Sequence, residues 1–202
     1  MRKLSYALCV LCIGAFVVGL SGCVGSPKAG APGEKTALEA WAGTWNNFYS
    51  YFERPSLSRA YEVLAAKEGK TPEEIRLRYL EGPTYQCEIA AFAIEGNSIT
   101  FYQAPQQSAG SSNGIAYRAV YQDDGDVDIN GRIWRHFETT ADIPYKHLLL
   151  LPAEADVPGE TMMHFHFRYG KDPDTIKNTE GWFATMTLYD STDDLLIGHM
   201  TH

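Results

Sequence analysis

The chain has 202 residues and a formal net charge of −8, from 17 basic and 25 acidic side chains. That balance argues against a nucleic-acid partner and against docking on anionic lipid by charge, and it suits the attraction of cations. All six histidines fall at or after His136, and the cysteines are Cys9, Cys12, Cys23 and Cys87.

Arg2 and Lys3 precede an apolar run, residues 6–20, that is short for a membrane span and reads as a signal peptide. The run closes on Leu20-Ser21-Gly22-Cys23, which looks like a bacterial lipobox, cut before a cysteine that receives lipid. The expected organisation is therefore a lipoprotein signal peptide (1–22), a flexible Gly, Pro and Ala-rich tether (23–37) and one folded domain (38–202). Cleavage would remove two basic side chains and no acidic one, deepening the negative charge. Val24 is not the Asp that would favour inner-membrane retention. The expected location is the bacterial cell envelope, lipid-anchored and extracytoplasmic, with the outer membrane favoured. Cys87 is left without an intramolecular partner, so no disulfide is expected within the domain.

Within the domain, Trp41-Ala42-Gly43-Thr44-Trp45 reads as a first strand or its closing turn. Ser56-Leu57-Ser58 offers an N-cap for a helix through Lys67. Thr71-Pro72-Glu73-Glu74 predicts a capped second helix, with Thr at N-cap, Pro at N1 and Glu at N3, ending before Gly82-Pro83. The period then changes to two, predicting strands over 87–94, 98–102, 115–122, 127–138, 146–151, 161–169 and 181–189. Turns are expected at Glu95-Gly96-Asn97, Asp123-Asp124-Gly125 and Gly170-Lys171-Asp172-Pro173. Residues 103–114 read as a long loop, and Ser191-Thr192-Asp193-Asp194 caps a short C-terminal helix that would carry His199 and His202 back onto the sheet. Seven short, mostly hairpin-linked strands predict an antiparallel barrel or sandwich.

His164-Phe165-His166 is the most informative motif. Positions i and i+2 of a strand share a face, so two imidazoles aim at one spot, and with a third donor they suit Zn²⁺. His-x-His alone is also what an ordinary half-wet strand contains. His136 reads as an outer-face or satisfied core histidine, His199 as part of a solvated terminus, and the four tryptophans as core. Cys87 reads as an inert buried thiol. Asp123, Asp124, Asp126 and Asp128 lack calcium-loop spacing and read as a solvated hairpin.

Laid out this way, the chain resembles the ZinT (YodA) family of extracytoplasmic zinc-binding proteins. The resemblance is carried by residues 41–45 with Tyr49-Ser50-Tyr51, by Glu74-Ile75 and Tyr79, and by residues 82–94 leading to Asn97 and Phe101. It continues through Phe137-Glu138, His164-Phe165-His166-Phe167 with Gly170, Trp182 and Met200-Thr201-His202. It implies a mainly β, lipocalin-like antiparallel barrel with two short helices at its edge and a short C-terminal helix, and a role in zinc acquisition or delivery. By the same resemblance His164, His166 and His202 are expected zinc ligands, and the third barrel ligand falls on Glu154 or Asp156, with His147 the alternative if the hairpin places it opposite His164. Glu154 is favoured, from the alignment of the turn on Pro158. Expected partners are a divalent metal ion, Zn²⁺ before others, the membrane through lipid on Cys23, and a zinc uptake component.

The second reading is a metal-free lipocalin-like barrel that binds a small apolar ligand or an envelope protein. The third, a zinc hydrolase, finds no Glu beside the histidine pair to act as base and no Ser or Cys nucleophile motif, so no enzyme is expected.

Overall fold

The computed structural model describes residues 37–112, 114–155 and 162–202. The expected signal peptide, Cys23 and nearly all of the tether lie outside them, as do Asp156 and Pro158. The described strands are β1 (Gly43–Asn47), β2 (Ala91–Glu95), β3 (Ser98–Tyr102), β4 (Ile115–Val120), β5 (Gln122–Ile129), β6 (Arg132–Glu138), β7 (His147–Leu150), β8 (Glu154–Ala155), β9 (Met163–Gly170) and β10 (Ala184–Leu188). They form one antiparallel sheet in the order β4-β3-β2-β1-β10-β9-β7-β6-β5, with β8 pairing β9 off this path. The order starts at β4 and finishes at β5, so the sheet curls into an open half-barrel of the lipocalin-like kind without closing.

Strand alternation divides the sheet into two faces. The inner face carries Trp45, Phe92, Phe101, Phe137, Leu148, Phe165, Phe167 and Met186 in one buried cluster, which Trp41 closes at the rim. Trp41 Nε1 donates to the Leu151 carbonyl at 2.7 Å and Trp45 Nε1 to the Trp41 carbonyl at 2.9 Å, so both indole N–H groups are satisfied where they are buried. Trp134 packs on the opposite face with Leu149 and Ile176, and Trp182 is only partly buried.

Helices cover the other face. Helix α1 (Ser58–Glu68) follows a 3₁₀ turn at Pro55–Leu57 and has no side-chain cap, contrary to the expected Ser cap; Ser56 instead bonds Asp193. Helix α2 (Pro72–Glu81) has the full capping box: Thr71 accepts from Glu74 N, and the Glu74 carboxylate accepts from Thr71 N at 2.7 Å. Helix α4 (Asp193–Thr201) starts on Thr192, and Arg54 pins its first turn through Asp193 at 2.9 Å. Phe48, Phe52, Leu57, Tyr61, Ile75, Met162, Leu196 and Met200 fill the space between these helices and the sheet.

Three further expectations need correction. The span 127–138 is two strands, β5 and β6, joined at Asn130-Gly131, both in the left-handed region (φ 56° and 80°), as a primed hairpin turn requires. Asp123-Asp124-Gly125 is a bulge inside β5, not a turn. After β9 the chain forms helix α3 (Pro173–Asn178), capped by Asp172 with Pro173 at N1. Gly170 permits its close packing, since a Cβ there would stand 2.8 Å from Ile176 Cγ2.

Candidate metal centre

The helix-covered face should be apolar where helices bury it, yet its centre is a row of polar residues in strand register. Glu154 is opposite His164, His164 opposite Thr187, and Thr187 opposite Asn46, across β8, β9, β10 and β1. In the next row His166 is opposite Thr185. Asn46, His164, Thr185 and Thr187 are all buried. Asn46 is satisfied through the Tyr51 hydroxyl (2.9 Å) and the Gln106 main chain (2.8 and 2.7 Å).

His166 Nδ1 lies 2.9 Å from Thr185 Oγ1, and that hydroxyl donates its own proton to the Phe183 carbonyl at 2.9 Å. The hydroxyl can therefore only accept from His166, which fixes the tautomer with Nδ1–H and leaves Nε2 a lone pair. The main chain of Glu154 accepts from the His164 ring. Helix α4 then brings His199 over the pair, its ring centroid 4.7 Å from that of His164, while His164 and His166 are 5.4 Å apart. His199 also packs edge-on against Phe48 at 5.0 Å. A pocket of about 360 Å³ opens here, lined by His166, His199 and His202 with Phe48, Tyr79, Tyr85 and Met200.

Burial keeps these imidazoles neutral. His166 is pushed down to about 4 by desolvation, then by His164 and Arg132. His199 is pushed down to about 4 by desolvation and by His202. His164 is lowered by desolvation, against the raising effect of Glu154. Neutral imidazole is the form that ligates metal, and so the donor chemistry fits a borderline divalent ion. Among the described residues, no three His, Cys, Asp or Glu side chains stand arranged to hold a metal ion as they are. His166, His199 and His202 share one pocket, and His164 meets His166 and His199 by ring contact.

His199 is the residue that sequence reasoning placed in a solvated terminus. Its i, i+3 and i+4 neighbourhood, with Leu196 and Met200 buried, is the signal that α4 docks and turns His199 inward. His147 is not part of this cluster. Its Cα partners are Glu138 and Gly170, not His164, and its ring lies against His136 at the far end of β9. His202 is exposed at the mouth of the pocket, and Glu154 is exposed beside His164.

A curled lipocalin-like sheet whose helix-covered face gathers neutral histidines defines a metal-recruiting class of barrel. The model of the ZinT (YodA) family, periplasmic lipocalin-like zinc-recruitment proteins, matches residues 33–202, and the chain belongs to that family. The fold is similar to the zinc-bound ZinT-like domain of AdcA from Streptococcus pneumoniae, with a TM-score of 0.58 and 19% identity over 84% of this chain and 92% of that one. It is also similar to zinc-bound AdcA of the same organism, TM-score 0.60 and 19% identity, again over 84% of this chain but 36% of that longer chain. No curated protein matches the chain by sequence.

Proposed function

We propose that this protein is a lipid-anchored, extracytoplasmic zinc-recruiting protein without catalytic activity, which binds Zn²⁺ through His164, His166 and His199 and passes it on. The observation that carries this reading is the contact of His164 with the imidazoles of both His166 and His199, which line one pocket between β9 and α4. Glu154 and His202 flank that pocket, Glu154 to complete the ligand set and His202 to receive the ion at its mouth. The zinc-bound state of the AdcA domain supports the choice of metal. The inner face of the half-barrel is occupied by its own aromatic side chains, which removes support from the reading as a carrier of apolar ligands.

Zinc titration of the purified chain against a competing chelator tests the reading. Loss of one zinc equivalent from the parent to His164→Ala/His166→Ala is the expected result; equal stoichiometry in both would overturn it. The anchor rests on the lipobox alone. Cys23→Ala should leave the protein unlipidated and off the membrane fraction, and a variant still membrane-bound and lipid-labelled would refute the anchor.

A further inference from the structure

We propose a second divalent-metal site, formed by His136 and Glu138 of β6 with His147 of β7 and oriented by Asp124, at the opposite end of β9 from the first cluster. The register places its donors together. His136 and Glu138 are two apart on one strand and share a face, and His147 is the Cα partner of Glu138. The bulge in β5 shifts the pairing between Asp123 and Gly125, and it aims Asp124 at the His136 ring. His147 pairs with Gly170, six residues along β9 from His164, so the two sites stand about 20 Å apart at the rise of a strand.

The distances match what such a site needs. Asp124 Oδ2 is 2.7 Å from His136 Nδ1, the carboxylate contact that fixes the tautomer and orientation of a ligating histidine. It holds the proton on Nδ1 and leaves Nε2 as a lone pair. That Nε2 is 3.2 Å from His147 Nδ1, close to the roughly 3.3 Å that separates two nitrogens ligating one tetrahedral zinc at about 2.0–2.1 Å each. Glu138 Oε2 lies 4.0 Å from the same His147 Nδ1, and its side chain, 48% exposed, is free to swing inward.

Two nitrogens are thus preset, and the third donor comes from one carboxylate rotation, with water completing the sphere. In the metal-free protein His147 Nδ1–H donates to His136 Nε2. On binding, that proton moves to His147 Nε2 and the freed Nδ1 lone pair takes the metal, so the His147 ring keeps one proton throughout. Burial and the neighbouring His136 hold the pKa of His147 below its ordinary value, which favours the neutral ligand. Two imidazoles and a carboxylate suit Zn²⁺ or Co²⁺ rather than the hard Mg²⁺ or Ca²⁺.

The test is metal stoichiometry after desalting, with zinc counted by elemental analysis and the visible absorption of Co²⁺ reporting coordination. The parent should hold two zinc ions, and His164→Ala/His166→Ala should keep one, which separates this site from the first. Adding His147→Ala to that variant should empty it. Glu138→Ala, an exposed change that leaves the buried pair intact, should weaken the remaining site at least tenfold and so decides the matter if His147→Ala unfolds. A His164→Ala/His166→Ala protein that holds no zinc, or one whose zinc is unaffected by Glu138→Ala, overturns the proposal.

Discussion

The imidazoles of His199 and His164 lie 4.7 Å apart, centroid to centroid, one carried by the C-terminal helix and the other by the middle of the sheet. This contact makes the docking of α4 part of the proposed metal centre. Arg54 holds one end of α4 through Asp193, and Lys67 donates to the Thr201 carbonyl at the other.

His199→Ala should therefore weaken zinc binding by at least about tenfold, a loss of 1.4 kcal/mol or more. His202→Ala, at the exposed mouth, should have a smaller effect. Zinc also stabilises the native state by RT ln(1 + [L]/Kd), about 2.7 kcal/mol when zinc is a hundredfold above Kd, so melting curves with and without zinc report the same order of effects. Equal affinity for the parent and His199→Ala would remove the helix from the centre.

The sequence shows the strands and the histidine pair because both follow period two, and it shows α2 because its capping box is local. Other features depend on which strands pair. The polar row Glu154, His164, Thr187 and Asn46 exists only after β8, β9, β10 and β1 are laid side by side, and no single strand reveals it. The contact between His136 and His147 is non-local in the same way. Asn130-Gly131 was legible as a strong hairpin turn, but the alternation from 127 to 138 runs through it, and Asp123-Asp124-Gly125 presents a competing turn signal that the chain uses as a bulge. Placing His147 opposite His164 assumed a turn centred between Ala155 and Asp156. Strands β7 and β8 both pair β9, in a register that puts His147 opposite Gly170 and Glu154 opposite His164, not the one that such a turn would give.

Acid should destabilise the metal-free protein through its buried histidines. His166 and His199 have folded values of about 4 against an ordinary 6.5, so the unfolded chain takes up their protons first. Their contribution is present above about 6.5 and is lost as pH falls towards 4, on the order of 1.4 kcal/mol for each unit of depression. Urea unfolding at pH 7, 5.5 and 4 should show a smaller pH slope for His166→Gln/His199→Gln than for the parent. Identical slopes would mean these rings are not held neutral by the fold.

Thr71→Ala removes the side-chain half of the capping box on α2, since the Thr71 hydroxyl accepts from Glu74 N and donates to the Glu74 carboxylate at 2.8 Å, while the Thr71 backbone N–H still donates to that carboxylate. The expected loss is about 1 kcal/mol. For a chain of this size that lowers Tm by about 2–4 °C, read by thermal unfolding, with zinc affinity unchanged because α2 contributes no proposed ligand. A shift below 0.5 °C would show that tertiary contacts, not the cap, fix the start of the helix.

Glu154 is the last ligand to assign. It is the Cα partner of His164, so the two side chains leave the sheet on the same side, and its charge opposes the lowering of the His164 pKa. A carboxylate there is a harder donor than imidazole and holds a borderline ion less tightly. Glu154→His should therefore tighten zinc binding and Glu154→Ala should weaken it, each by about tenfold or more. The measurement is chelator competition with His147→Ala present throughout, so that only the centre at His164 is read. Equal affinities for the parent background and both Glu154 variants would leave Glu154 outside the ligand set, with His164, His166 and His199 holding the ion alone.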